Sequence, residues 1–225
     1  MTSDAALALE AAARRRARLE SLFALAPVVP VITIEDEAHS VPLARALARG
    51  GLRAIEITLR TAAGLNSAKA IRTEVPEAIV GIGTVLTPED LDRSVAAGAA
   101  FALSPGATPE LLEAARACDL PFIPGVQTAS ELTACVTRGF EIVKFFPAVP
   151  AGGIPAVRAL AGPFPQARFC PTGGIGDKDA GAWLAEPNVV AIGGSWIAPR
   201  ADIAAGAWQA IEARARAAAM LGRPA

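Results

Sequence analysis

The sequence predicts a (β/α)8 (TIM) barrel with one extra helix at its N-terminal end, and three observations carry that expectation. The chain has 225 residues and 52% hydrophobic content, enough to enclose one substantial core. Short β-like runs alternate eight times with amphipathic helical runs. No long linker or shift of composition divides them, so residues 1–225 are read as one domain, with residues 1–26 as a helical extension. A doubly wound sheet is the second-choice architecture, but such sheets usually stop at about five to seven strands.

In order along the chain, residues 4–24 are rich in Ala, Leu, Glu and Arg and read as the extra helix. The run Arg14 to Arg18 within it reads as a solvated helix face rather than a targeting or nucleic-acid motif. The eight strand candidates are Val28–Ile34, Arg53–Arg60, Ala78–Val85, Phe101–Pro105, Leu120–Val126, Glu141–Pro147, Arg168–Thr172 and Val189–Ser195. Helix starts fall between them at Thr87-Pro88, at Thr108-Pro109 and at Thr128, which has Glu131 three residues on. Glycines end helices at Gly50-Gly51, Gly98 and Gly139.

Composition excludes several functions. A net charge of -1 and a pI near 5.9 argue against nucleic acid or an anionic membrane as partner. No apolar run reaches membrane-spanning length. Cys118, Cys135 and Cys170 have no paired spacing, which suits buried thiols in a reduced, cytoplasmic protein. With one histidine, His39, read as a surface residue at a helix start, and no tyrosine, no metal site or other cofactor is expected. Acid–base work therefore falls to a carboxylate or a lysine.

Barrel chemistry sits at the C-terminal ends of the strands. In the sixth candidate, Glu141-Ile142-Val143-Lys144-Phe145-Phe146-Pro147, a lysine lies between apolar faces. An ammonium there loses hydration, which favours the neutral amine, a nucleophile for ketones. The alternative is a strand-end lysine whose head reaches solvent. In the second candidate, alternation turns Glu56, Thr58 and Arg60 inward and Ile55, Ile57 and Leu59 outward. Either a structural ion pair or catalysis accounts for charge in a barrel, and Lys144 favours catalysis. The third strand ends in Gly81, Gly83 and the hydroxyl of Thr84, while the fourth and fifth end in Pro/Gly pairs that shape the mouth. The seventh and eighth run into Thr172-Gly173-Gly174 and Gly193-Gly194-Ser195, glycine-rich loops where such barrels bind phosphate. The alternative is a pair of tight turns with no ligand.

The segments VVPVITI, EITLRT, IVGIGTVLTPED, FALSPG, PFIPGVQTASE, VKFFPA, GPFPQARFCPTGGI and IGGSWI, in that order from Val28 to Ala198, resemble the class I 2-dehydro-3-deoxy-phosphogluconate (KDPG) and 4-hydroxy-2-oxoglutarate (KHG) aldolases. The resemblance implies a metal-free homotrimer of (β/α)8 barrels. It also implies reversible cleavage of a phosphorylated keto acid to pyruvate and glyceraldehyde 3-phosphate, the aldol step of the Entner–Doudoroff pathway. By the same resemblance Lys144 forms the Schiff base and Glu56 shuttles protons. Arg60, Thr84 and Thr172 hold the pyruvate carboxylate, and Gly173, Gly174, Gly194 and Ser195 bind phosphate. The chain departs from the pattern at Gly176, where the family often has a polar residue. Asp177 and Asp179 beside that loop oppose an anion, and Lys178 offsets them. An aldolase for the phosphogalactonate epimer and a trimeric assembly scaffold are the alternatives.

Overall fold

The computed structural model describes residues 3–25 and 27–221. All eight strand candidates form strands, each shorter than its apolar run. They are β1 (Val28–Ile32), β2 (Ala54–Thr58), β3 (Ile79–Gly83), β4 (Phe101–Leu103), β5 (Phe122–Ile123) with β6 (Gly125–Val126), β7 (Ile142–Phe145), β8 (Arg168–Phe169) and β9 (Ile192–Gly194). The fifth candidate is split because Pro124 has no N–H to give the ladder. The residues expected to finish the strands, such as Arg60 and Ser195, already belong to the loops.

Every pairing is parallel. One sheet runs β5-β4-β3-β2-β1-β9 and the other β6-β7-β8. Single bridges, Phe169 to Val189 and Thr172 to Gly193, join the region of β8 to that of β9. The helices between them are α2 (Ser40–Arg49), α3 (Gly64–Glu74), α4 (Pro88–Ala96), α5 (Pro109–Ala117), α6 (Ala129–Val136), α7 (Gly153–Ala161), α8 (Asp177–Leu184), α9 (Arg200–Ala204) and α10 (Trp208–Ala219). The three predicted starts hold: Thr87 and Thr108 each accept a backbone N–H, and Thr128 and Glu131 form a reciprocal capping box.

Alternation along the strands divides the core into two layers. Ile55, Ile57, Val143 and Phe145 pack outward with Leu43, Leu47 and Ile71 of the helices. Ala54, Phe101, Leu103, Ile123, Ile142 and Cys170 pack inward. Helix α1 (Ser3–Phe23) joins that inner layer through Leu19, Leu22 and Phe23, so it closes the end where the strands begin. Burying each of those side chains contributes about 1.5–3 kcal/mol.

Burial refines three expectations. In the arginine run Arg14, Arg16 and Arg18 are exposed, as a solvated face requires, and Arg15 is the exception, being buried. Arg16 pairs with Glu20 and Glu141 and Arg18 with Asp119, because α1 lies against the loops that enter β5 and β7. His39 is half-buried, its ring 5.9 Å from that of Trp208 on α10. Cys118 is half-buried rather than buried, while Cys135 and Cys170 are buried, and all three are free thiols. Among the described residues no helix is long and apolar enough to cross a membrane.

Candidate active site

Glu56 lies in mid-strand on β2 and Lys144 on β7, both on inward-facing positions, and the fold brings them into contact. Lys144 Nζ donates to Glu56 Oε1 at 2.9 Å and lies 3.3 Å from Oε2. The side chains are 3% and 1% exposed, so Lys144 does not reach solvent and the pair is shielded from water. The expectation of purely apolar walls around the amine is corrected by this carboxylate. A proton moved from Nζ to Oε1 leaves a neutral amine beside a carboxylic acid, the two forms that imine chemistry needs. The ring centroid of Phe146, two residues along, lies 5.6 Å from Nζ, where its π-face steadies the charged form.

Neighbouring strands make room for the carboxylate. Glu56 is in register with Val31 on one side and Gly81 on the other. A Cβ on Gly83 would stand 2.0 Å from Glu56 Oε1, so only glycine fits there. Further along the same inward face, the buried hydroxyls of Thr58 and Thr33 lie 3.1 Å apart in a hydrogen bond.

At the C-terminal ends of the strands opens a cavity of about 240 Å³, lined by Val31, Arg60, Phe146, Thr172, Gly173, Gly174, Gly193 and Ser195 among others. Arg60 is the one ionisable residue lining it among the described residues. It is exposed at the rim rather than enclosed, since it lies past the end of β2. Thr172 is buried, and its hydroxyl faces Gly193, whose Cβ would lie 2.3 Å from Thr172 Oγ1. Phe146 connects the two parts of the site, since it lies near Nζ and also lines the cavity.

Two residues expected in the site stand apart from this lining. Thr84 follows β3 with a left-handed φ of 63°, between Gly83, whose carbonyl accepts from Leu59 N–H at 2.9 Å, and Val85, which donates to Leu103 O at 3.1 Å. Gly194 is turned from the cavity toward the ring of Trp196, and Gly193 takes its place in the wall. Phe146 and Val31 are lining residues with no role assigned from the sequence, and Gly193 was named there only as part of its glycine-rich loop. Period-2 alternation between Gly193 and Gly194 was the available signal. In the loop after β8, Asp179 accepts from Gly176 N–H at 3.4 Å and so caps its own helix.

A larger cavity of about 500 Å³ lies at the opposite end, between Leu19, Leu22 and Leu25 and the starts of the strands. Among the described residues its one ionisable lining residue is Arg18, which pairs with Asp119. Cys170, in the inner layer, has its thiol pushed up to about 12 by burial, against the opposing pull of Lys144, and is inert.

Known proteins are similar to this chain in sequence and in fold. The family model described as KDPG and KHG aldolase matches residues 19–214. The KHG/KDPG aldolase of Escherichia coli strain K12 is 49% identical over 197 residues, covering 88% of this chain and 92% of that protein. The 2-dehydro-3-deoxy-phosphogluconate aldolase of Pseudomonas aeruginosa is 44% identical over 203 residues, covering 90% and 92%. Among solved structures, a KDPG aldolase from Legionella pneumophila with pyruvate captured as a covalent carbinolamine superposes with a TM-score of 0.87 at 44% identity, covering 89% of this chain and 97% of that one. A buried lysine–glutamate pair beneath a glycine-walled cavity, and a match along nearly the whole sequence, lead to one conclusion: the chain belongs to the KDPG and KHG aldolase family.

Proposed function

We propose that this chain is a class I aldolase, a carbon–carbon lyase that reversibly cleaves 2-dehydro-3-deoxy-6-phosphogluconate to pyruvate and glyceraldehyde 3-phosphate. It also cleaves 4-hydroxy-2-oxoglutarate to pyruvate and glyoxylate. The observation that carries this reading is the 2.9 Å contact between Lys144 Nζ and Glu56 Oε1.

The cycle follows from that contact. Glu56 takes a proton from Lys144, and the neutral amine adds to the C2 ketone to give a carbinolamine. Glu56 returns the proton to the departing hydroxyl, water leaves, and an iminium remains. The carboxylate then removes the proton of the C4 hydroxyl. The C3–C4 bond breaks, the aldehyde departs, and the bonding pair enters the iminium to form an enamine. Glu56 delivers its proton to C3, and water hydrolyses the iminium to release pyruvate and restore Lys144. Arg60 at the rim holds the carboxylate with a forked, charge-assisted contact, aided by the hydroxyls of Thr172 and Thr84. The backbone of Gly173, Gly174 and Gly194 and the hydroxyl of Ser195 receive the phosphate.

The same reading takes the two parallel sheets as one closed (β/α)8 barrel in a single domain, with α1 as the extra helix. The bridge from Thr172 to Gly193 and the continuity of β5 and β6 through Pro124 support closure. A cytoplasmic homotrimer without metal completes it, supported by the family resemblance. Release of pyruvate from 2-dehydro-3-deoxy-6-phosphogluconate tests the proposal: the wild-type chain turns over and Lys144→Ala does not. Wild-type-like release by that variant contradicts it.

A further inference from the structure

Arg15 is the outlier among the arginines of α1. Arg14 pairs with Glu10, Arg16 with Glu20 and Arg18 with Asp119. Arg15 is 7% exposed, and its recorded contact is one long hydrogen bond, from Nη1 to the carbonyl of Cys118 at 3.5 Å. No carboxylate among the described residues lies within ion-pair distance of it. A buried guanidinium left that way is costly unless something pairs with it. Burial holds Arg15 below the ordinary arginine value, Asp119 and Cys118 work against that, and Arg14 and Arg116 add to it.

Arg15 faces a cavity of about 170 Å³ whose wall also carries Arg116, Thr137, Arg138 and Gly139. That is room for several waters or one small oxyanion. Arg116 Nε and Arg138 Nε donate to the two oxygens of Glu113 at 3.1 and 2.9 Å, and Arg138 Nη1 donates to Ala134 O at 3.0 Å. Arg15, Arg116 and Arg138 thus converge on one cavity, and Glu113 holds two of them, Arg116 and Arg138, in fixed orientations. Arg116 lies on α5 and Arg138 just after α6, in segments that lead into β5 and β7. The cavity therefore belongs to the end of the fold where the strands begin, remote from the Lys144 site at their C-terminal ends.

We propose that this cavity is a second anion site, which takes a phosphate-class dianion between Arg15, Arg116 and Arg138. Guanidinium forks match phosphate oxygens in pairs. The bound anion supplies the counter-charge Arg15 lacks and ties α1 to the ends of α5 and α6. The site is independent of the aldolase chemistry, and its occupancy reports on how firmly α1 closes the fold.

The test is the shift in melting temperature on adding inorganic phosphate at constant ionic strength, compared among Ser195→Asp, Ser195→Asp/Arg116→Gln/Arg138→Gln and Ser195→Asp/Ala12→Glu. Ser195→Asp removes anion binding at the proposed active-site loop by like-charge repulsion, so any remaining shift reads the new cavity, and Ala12→Glu places a carboxylate in the wall of that cavity. At about ten-fold saturation Ser195→Asp gains about 3 °C. The variant that also carries Arg116→Gln/Arg138→Gln gains nothing, and Ser195→Asp/Ala12→Glu melts higher than Ser195→Asp without phosphate and gains nothing from it. No shift in Ser195→Asp, or an undiminished shift in Ser195→Asp/Ala12→Glu, overturns the site. The Ala12→Glu arm decides the matter even if the variant with the two arginine substitutions does not fold.

Discussion

Lys144 Nζ and Glu56 Oε1, 88 positions apart in sequence, meet at 2.9 Å inside the fold, with hardly any solvent access to either side chain. A pair so buried is poor evidence of stabilisation, because desolvation offsets the mutual attraction. Charges buried at so little gain in stability point to chemistry. Removing one partner strands the other: Lys144→Ala is expected to lose activity and about 3–5 kcal/mol of stability. The apolar double replacement Lys144→Met/Glu56→Leu should recover most of that stability with no activity. Chemical denaturation of both variants checks this, and a double variant no more stable than the single one contradicts it.

Glu56→Gln keeps the side-chain shape and removes the proton carrier. Turnover is expected to fall about 10²–10⁴-fold, while the folded structure and Lys144 remain. Single-turnover kinetics with 2-dehydro-3-deoxy-6-phosphogluconate measure the loss, and a fall of less than about five-fold assigns the proton transfer to another group.

Gly83 is where Glu56 is most easily displaced. Its missing Cβ would lie 2.0 Å from Oε1, so Gly83→Ala must push the carboxylate aside. Overpacking of this kind costs about 1–3 kcal/mol, and we expect kcat to fall far more than a stability loss of that size implies. An active Gly83→Ala enzyme with unchanged kcat would show that Glu56 tolerates movement.

Much of this site was legible before any coordinates. Period-2 alternation along Ile55-Glu56-Ile57 and Val143-Lys144-Phe145 puts both charges on the inward face, and eight strand runs in order imply the architecture. Contact between them was not legible, because it depends on how strands β2 and β7 are brought together in space. Nor was the exposure of Arg60, which follows from β2 ending two residues earlier than its apolar pattern. The burial of Arg15 was hidden for a similar reason. Helix periodicity describes a face, and only tertiary packing decides whether α1 has the loops before β5 and β7 beside it.

Thr84 holds a left-handed backbone, φ 63°, that costs a β-branched residue of order 1–3 kcal/mol. Thr84→Gly is expected to relieve that strain and raise stability by about 1 kcal/mol after the entropy of glycine is counted. If its hydroxyl holds substrate, KM for pyruvate in the aldol direction rises. Denaturation and steady-state kinetics on the one variant separate the two effects, and a destabilised variant refutes the strain argument.

Burial raises the thiols of Cys135 and Cys170 to about 12. The native state therefore keeps those protons over a range where the unfolded chain, with thiols near about 8.5, loses them. Stability from this source is fully present below about pH 8.5 and falls as pH rises toward about 12. Urea midpoints measured from pH 7 to 10.5 should decline, and less so in Cys135→Ala. An equal slope in that variant removes Cys135 from the account.

The central claim is that Lys144 is the nucleophile. Borohydride reduction in the presence of pyruvate, followed by peptide mass spectrometry, tests it most directly. A reduced pyruvyl adduct on the peptide containing Lys144, absent from Lys69 and Lys178, is the predicted result. A folded protein with no adduct at Lys144, or with adduct at an exposed lysine instead, contradicts the mechanism.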